Sequence, residues 1–425
     1  MAAENPSRRD LLAGLAGLGA AAGALSIARA AEPVLGTAPA PAEPPPRPTV
    51  PADATKVLGT PALPRSERSP FEDPKVAPSG QVSGPSYSPI ETFHGTITPT
   101  DLQFQRHHGG IAHIDPTKWK LLLHGLVDKP LVFTLDDLKR FPSVSRVMFL
   151  ECSGNGRNAY RSPKPESNVQ HLDGLISNLE WTGVPLSLLL REAGVKPDAT
   201  WFVAEGGDAS VMARSVPIAK AWDDALIVYA ANGEPLRAAH GYPARLFLPG
   251  WEANMSIKWL RRIELTDQPL MAKDETSKYT DPLPGDRARQ FSFVCDCKSV
   301  LTQPTWPTKL SGPGFWPISG LAWSGRGSVA RVEVSTDGGK SWTDAKLQGP
   351  VLPKAVTRFH HDWQWDGKPT RIQTRATDDT GYVQPSLAEF RKVRGLGTDF
   401  HFNPIRTWEV KADGQVLFVP DPEAT

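Results

Sequence analysis

The sequence predicts an α+β fold: a domain of mixed strands and short helices over residues 87–290, followed by an all-β sandwich over residues 291–425. Three observations carry this. Between Lys118 and Leu150, strand-like runs, a turn and one short amphipathic helix follow one another, the alternation of a mixed domain rather than a helical bundle. Beyond the turn at Pro282 to Gly285 the pattern changes to short segments of period two set between turn residues, which reads as a sandwich. Ahead of the first domain, fifteen prolines from Pro33 to Pro89 exclude a helix or a central strand, so residues 31–86 read as an extended tether.

Composition sets wider bounds. A chain of 425 residues, 40% apolar and 22% charged, is globular and long enough for about two or three domains. A formal net charge of +1 gives no electrostatic reason to bind nucleic acid or an acidic membrane surface. Cys152, Cys295 and Cys297 are too few for a disulfide framework.

At the N-terminus, Ser7, Arg8 and Arg9 precede an uncharged run from Leu11 to Ala28, closed by small residues up to Ala30. Residues 1–30 therefore read as a twin-arginine export signal cut after Ala30, since the run falls short of the ~20 residues that span a membrane. A periplasmic protein with no membrane anchor is expected. Export in the folded state points to a cofactor inserted beforehand.

The first folded domain should begin near Tyr87. Arg106, His107 and His108, followed by Gly109 and Gly110, form a cationic loop between extended segments that reads either as an anion-facing surface or as a solvated basic loop. Lys118 to His124 and Leu131 to Phe133 read as paired strands. Thr134 with Asp137 three residues on reads as a capped start to a helix whose inner face is Leu135, Leu138 and Phe141. Ser145 to Leu150 is a strand, and its end delivers the run Leu-Glu-Cys-Ser-Gly-Asn-Gly-Arg from Leu150 to Arg157. On its own this is a buried cysteine beside a tight turn, or a thiolate among converging amides with Arg157 adding a fixed charge.

Farther on, Trp181 reads mainly as a packing residue, Leu186 to Leu190 as a short helix and Trp201 to Glu205 as a strand. Trp222 to Ala230 is amphipathic, with a turn at Asn232 and Gly233. His240, Arg245 and Lys258 then place cations again at the ends of strand-like segments, so a set of them surrounds one cysteine.

In these residues the chain resembles the sulfite oxidase family of molybdenum enzymes, over nearly everything from His94 to the C-terminus. The turn from Cys152 to Arg157 is similar to that family's molybdenum-binding turn, and Arg106 with His108 to its Arg-x-His element. His240, Arg245 and Lys258 lie in the segment that in the family grips the phosphate of molybdopterin. The resemblance implies a cofactor of molybdenum with one pterin dithiolene, with Cys152 as metal ligand and His108 also on the cofactor side. It further implies Arg106 and Arg157 as the charges that hold substrate, with Tyr279 as active-site tyrosine. A soft thiolate suits such a metal, and coordination keeps it deprotonated, so Cys152 is expected to be a ligand and not a nucleophile.

The second domain resembles the family's immunoglobulin-like dimerisation domain around Gly320 to Gly327 and Ser335 to Trp342, which implies a homodimer. Ala330, Val332 and Val334 are expected on one face of a strand and Arg331 and Glu333 on the other. Cys295 and Cys297 read as packing residues, or as a strained local disulfide. Arg358, Arg371 and Arg375 are candidates for a third pocket cation.

Electrons released by oxidation must leave, and no Cys-x-x-Cys-His attaches a haem to this chain. Relatives carry two arginines in a row where Gly156 and Arg157 stand here. Within the family the chain is similar to the sulfane dehydrogenases of bacterial thiosulfate oxidation (Sox). That implies a sulfur carrier protein as substrate, a dihaem c-type cytochrome subunit as electron acceptor and a heterotetramer, with Gly156 making room for carrier-borne sulfur. The competing expectations are a periplasmic sulfite dehydrogenase, a sulfoxide reductase of the same fold, and a cofactor-free assembly scaffold.

Overall fold

A computed structural model describes residues 58–161, 163–395 and 400–420. The export signal and most of the tether, residues 1–57, lie outside the described residues. The chain divides into two units, Met1–Glu67 and Arg68–Thr425. Of the first, the described residues 58–67 are exposed and form neither helix nor strand. All elements below belong to the second. Its first strand, Ala77–Pro78, falls within the stretch read as tether and pairs with Pro85–Tyr87, which in turn pairs with Gln105–Arg106.

Two five-stranded sheets build the first domain. One runs Glu234–Pro235, Leu226–Ala231, Ile176–Pro185, Val144–Glu151, with Arg245–Phe247 also on Leu226–Ala231, all antiparallel. The other runs Leu131–Phe133, Leu121–Gly125, Leu260–Thr266, Trp201–Gly206, Ala213–Pro217, parallel only between Leu121–Gly125 and Leu260–Thr266. The first sheet is apolar on both faces: Leu226 and Val228 pack with Met148, Leu150 and Trp181, whereas Ile227 between them joins the core of the second sheet. Alternating side chains of one strand thus serve two cores, which explains its unbroken apolar run.

Local signals are realised where they are strongest. Helix Leu135–Arg140 begins with the reciprocal bonds of Thr134 and Asp137. Asn232 and Gly233 both take positive φ in the two-residue turn between paired strands. The amphipathic stretch at Trp222 to Ala230 is divided, the end of helix Ile218–Asp223 giving way to strand Leu226–Ala231.

The second domain is two antiparallel sheets face to face. One holds Lys298–Gln303, Gly314–Trp323, Thr357–Trp365 and Lys346–Gln348; the other holds Thr343–Asp344, Val329–Ser335, Thr370–Asp378, Thr407–Val410 and Val416–Phe418. A register shift between Val329 and Arg331 leaves Ala330 exposed with Arg331, while Val332 and Val334 stay in the core. The strict alternation expected there fails because a bulge inserts one residue. Glu333 is buried as well, paired with Arg375 and Arg331.

The two domains share a core. Phe149 and Ile176 of the first cluster with Trp323 and Phe359 of the second, and Cys295 and Cys297 are free and buried in the same cluster. After helix Leu387–Arg394, capped by Ser386 and Glu389, residues 400–406 lie back on the cysteine turn, where the His401 amide donates to the Ser153 carbonyl at 2.9 Å.

Candidate active site

Strand Val144–Glu151 is paired along its whole length with Ile176–Pro185, which fixes the point where Cys152 leaves the sheet. The Cys152 amide donates to Leu175 at 3.0 Å, and the Cys152 carbonyl accepts the Asn155 amide at 2.9 Å. Buried Asn155 ties the turn from inside, donating to Glu151 and accepting the Leu175 amide. Gly156 stands at φ 95°, a left-handed angle that glycine takes without strain, and Arg157 follows in a short 3-10 turn. Burial pushes the Cys152 thiol pKa up, while Arg106, the Gly154 amide and Arg157 pull it down.

The catalytic, cofactor-binding and metal-ligand residues singled out from the sequence each reach one of two adjoining cavities, whereas the candidates for a third pocket cation do not. One cavity is lined by Arg106, His108, Cys152, His240, Arg245, Lys258 and Tyr279. Another shares Arg106, His108, Cys152 and Tyr279 and adds Arg157. Cys152 stands where they meet.

At the inner end, Arg245 is buried with its guanidinium against the Trp181 ring, donating to the carbonyls of His240 and Ser256. Among the described residues its Nε has no hydrogen-bond partner, and neither ring nitrogen of buried His240 meets hydrogen-bond geometry with a neighbour. Lys258 Nζ lies 2.9 Å from His107 Nδ1 and donates to the carbonyls of Arg106 and Ala239 at 3.1 and 3.0 Å. Gly241, at φ 107°, holds this end tight, since a Cβ there would stand 3.1 Å from both Arg245 Cβ and Lys258 Cβ. Among the described residues neither cation has a carboxylate within ion-pair distance. Burial lowers Arg245 to about 9 and Lys258 well below the usual lysine range; His240 is lowered to about 3 by burial and by Lys258 and Arg245. Each of these penalties would be reversed by one bound anion.

At the outer end, His108 is held between two groups. Lys278 Nζ, which can only donate, is 3.2 Å from Nδ1, and the Tyr279 hydroxyl is 3.1 Å from Nε2. Burial and then Arg106 and Lys278 lower His108 to about 3. A neutral ring that accepts from Lys278 at Nδ1 carries its proton on Nε2, from which it can donate to the Tyr279 hydroxyl. The Tyr279 ring lies against the Arg214 guanidinium, and burial raises its pKa.

Sequence reasoning missed what the second domain supplies. Phe400 lines the outer cavity, its ring 5.2 Å from that of Tyr279, and His401 sits between Glu252 and Asp281. The candidates named for that role lie elsewhere: Arg358 donates to Phe93, Arg371 pairs with Glu409, and Arg375 pairs with Glu333. Nor does Gly156 open the pocket. A Cβ there would meet Arg406 Nη2 and Phe402, so Arg406, itself bound to Asp173, fills that space from behind.

The donor set fits a pterin-borne metal. Among the described residues no group of three His, Cys, Asp or Glu could hold a metal ion, so Cys152 offers one ligand and the rest must come with the group. The cavity beside it ends at buried cations that lack an anion.

Residues 108–273 match the family described as oxidoreductase molybdopterin binding domain, and residues 289–407 the Mo-co oxidoreductase dimerisation domain. Sulfite oxidase of Gallus gallus is 30% identical over 331 residues, covering 72% of each chain. Mitochondrial sulfite oxidase of Rattus norvegicus is 30% identical over 326 residues, 71% of this chain and 59% of the rat protein, so this chain spans less than two thirds of that relative. The crystal structure of sulfane dehydrogenase SoxCD from Paracoccus pantotrophus superposes with a TM-score of 0.83 at 47% identity, over 86% of this chain and 96% of that one.

Proposed function

This chain belongs to the sulfite oxidase family of molybdopterin-binding oxidoreductases, and from that premise we propose that it oxidises sulfane sulfur held on a carrier protein in thiosulfate oxidation, taking oxygen from water and passing electrons to a dihaem c-type cytochrome subunit. The observation that carries the reading is the meeting of Cys152, Arg106 and Tyr279 where two cavities adjoin, the outer one also lined by Arg157 and the inner one by Arg245, Lys258 and His240, the two cations having no carboxylate within ion-pair distance among the described residues.

The molybdenum–pterin cofactor supplies, when bound, a two-electron centre able to pass oxygen to sulfur. Arg245, Lys258 and His240 would hold its phosphate, a contact that would offset the cost burial places on their charges and hydrogen bonds. His108 lines the wall beside it, and Cys152 is the metal's protein ligand. Arg106 and Arg157 draw an anionic sulfur group to the thiolate's side of the cavity and stabilise negative charge as oxygen is added. Tyr279, within hydrogen-bond distance of His108, would donate a hydrogen bond to the sulfur group and to the oxygen it gains.

Two observations favour carrier-bound sulfane. The chain is 47% identical to a sulfane dehydrogenase against 30% to sulfite oxidases. Val82, Ile111 and Val211, all exposed, stand on the three loops that also carry Pro85, Arg106, His108 and Asp208 of the cavity walls. Exposed apolar side chains on loops that also build the cavity suit a protein-borne substrate, whereas a free oxyanion has no use for them. The second domain is the proposed homodimer contact, a heterotetramer with the cytochrome the proposed assembly, and the periplasm the proposed location.

A periplasmic sulfite dehydrogenase is the second reading, favoured by the sulfite oxidase relatives. Exported protein carrying about one molybdenum per chain, assayed with ferricytochrome c, separates them. Higher kcat/KM for carrier-bound sulfane than for sulfite supports the proposal; the reverse order supports the alternative. No molybdenum in protein matured through its own export route would overturn both.

A further inference from the structure

We propose that Phe400 determines specificity, turning the pocket toward sulfur borne on a peptide thiol and away from free oxyanions; this deepens the proposed function and rests on it. The outer cavity is lined by cations and by rings: Arg106, Arg157 and Lys278 bring charge, Lys278 Nζ lying 3.2 Å from His108 Nδ1, and Phe400 and Tyr279, with rings 5.2 Å apart, bring an aromatic surface.

A free oxyanion carries charge on every side and is best held by donors all round. A sulfur group attached to cysteine is charged at one end only, and its bridging sulfur and methylene need an apolar contact, which sulfur on an aromatic edge provides. This pocket matches the second shape. Among the described residues the second domain brings to this cavity a ring, and four of its arginines are engaged elsewhere: Arg358 on Phe93, Arg371 on Glu409, Arg375 on Glu333, Arg406 on Asp173.

The ring's position is enforced. His401, the next residue, takes a left-handed backbone at φ 66°, a conformation that non-glycine residues rarely adopt. Three contacts hold it there: its amide on the Ser153 carbonyl at 2.9 Å, Nδ1 on Glu252 at 2.5 Å and Nε2 on Asp281 at 2.9 Å. A residue turned out of ordinary backbone space and pinned on three sides aims its neighbour. Without the clamp Phe400 could leave the mouth.

The test uses molybdenum-loaded protein in wild-type, Phe400→Leu and Phe400→Arg forms. Calorimetry measures binding of two probes, inorganic sulfate and a short peptide whose cysteine is S-sulfonated; steady-state assays with sulfite and carrier-bound sulfane run beside it. Phe400→Leu should weaken peptide binding about threefold to tenfold while sulfate stays within about twofold. Phe400→Arg should move the kcat/KM ratio toward sulfite by about tenfold or more. Should the arginine variant fail to load molybdenum, the leucine variant decides alone. Unchanged affinities in Phe400→Leu, or parallel losses for both probes, would overturn the assignment. A wild-type enzyme inactive on carrier-bound sulfane would sink the functional reading instead, and the two-probe comparison would still judge Phe400.

Discussion

Buried cations occur in two kinds in this molecule. Arg214 is paired with Glu275 through two bonds of 2.9 and 3.1 Å, and Lys298 with Glu151 and Asp173. Arg245 is buried as deeply and Lys258 is half-buried, and among the described residues neither has a carboxylate within ion-pair distance: carbonyls, one imidazole and aromatic faces surround them, with Asp208 farther along the same cavity. The difference separates scaffold from site: a charge neutralised within the chain holds the fold, whereas one left without an acid is held ready for an anion brought from outside.

That contrast can be broken at its structural side first. Glu275→Gln leaves Arg214 buried without its counter-charge and should destabilise the protein by about 3–5 kcal/mol, read as a lowered denaturant midpoint. An effect below 1 kcal/mol would mean that Arg214 is as tolerant of isolation as Arg245.

His401 sharpens it next. Burial works against its charge, but Glu252 and the bond to Asp281 outweigh burial and hold its pKa up to about 9, above the ordinary 6.5. A raised folded value makes the contribution complete below pH ~6.5 and lost as pH climbs through 9. About 2.5 units at ~1.4 kcal/mol each give roughly 3 kcal/mol. Unfolding free energies at pH 6 and pH 9.5 should therefore fall by about that much more in wild type than in His401→Asn, and equal pH slopes would contradict the clamp.

The smallest change is Tyr279→Phe, which removes one hydroxyl facing the cavity. Stability should shift by no more than ~1 kcal/mol, while turnover drops about tenfold to hundredfold at unchanged molybdenum content. Full turnover would remove Tyr279 from the reaction.

How legible each region was follows from how far apart its parts lie in the chain. The inner end is drawn largely from Ala238 to Lys258, so its cations could be seen in one short segment. The cysteine turn was equally local, with Gly154, Gly156 and Arg157 beside Cys152. Phe400 is remote from all of them and follows no motif, and nothing local announces that the chain returns there after helix Leu387–Arg394. Gly156 misled for the same reason: a vacant side chain looks like room, and only the fold shows Arg406 in the space. In the sandwich, period two gave the strands, but a bulge such as that at Ala330 changes facing without changing composition.

The claim that acid-free burial marks the cofactor's anion site is tested most directly by melting the cofactor-free chain in rising inorganic phosphate. The melting temperature of wild type should climb with phosphate concentration, as binding to the folded state alone requires, and that of Arg245→Met should start no lower and stay flat. A wild-type chain indifferent to phosphate, or a variant that responds equally, would contradict it.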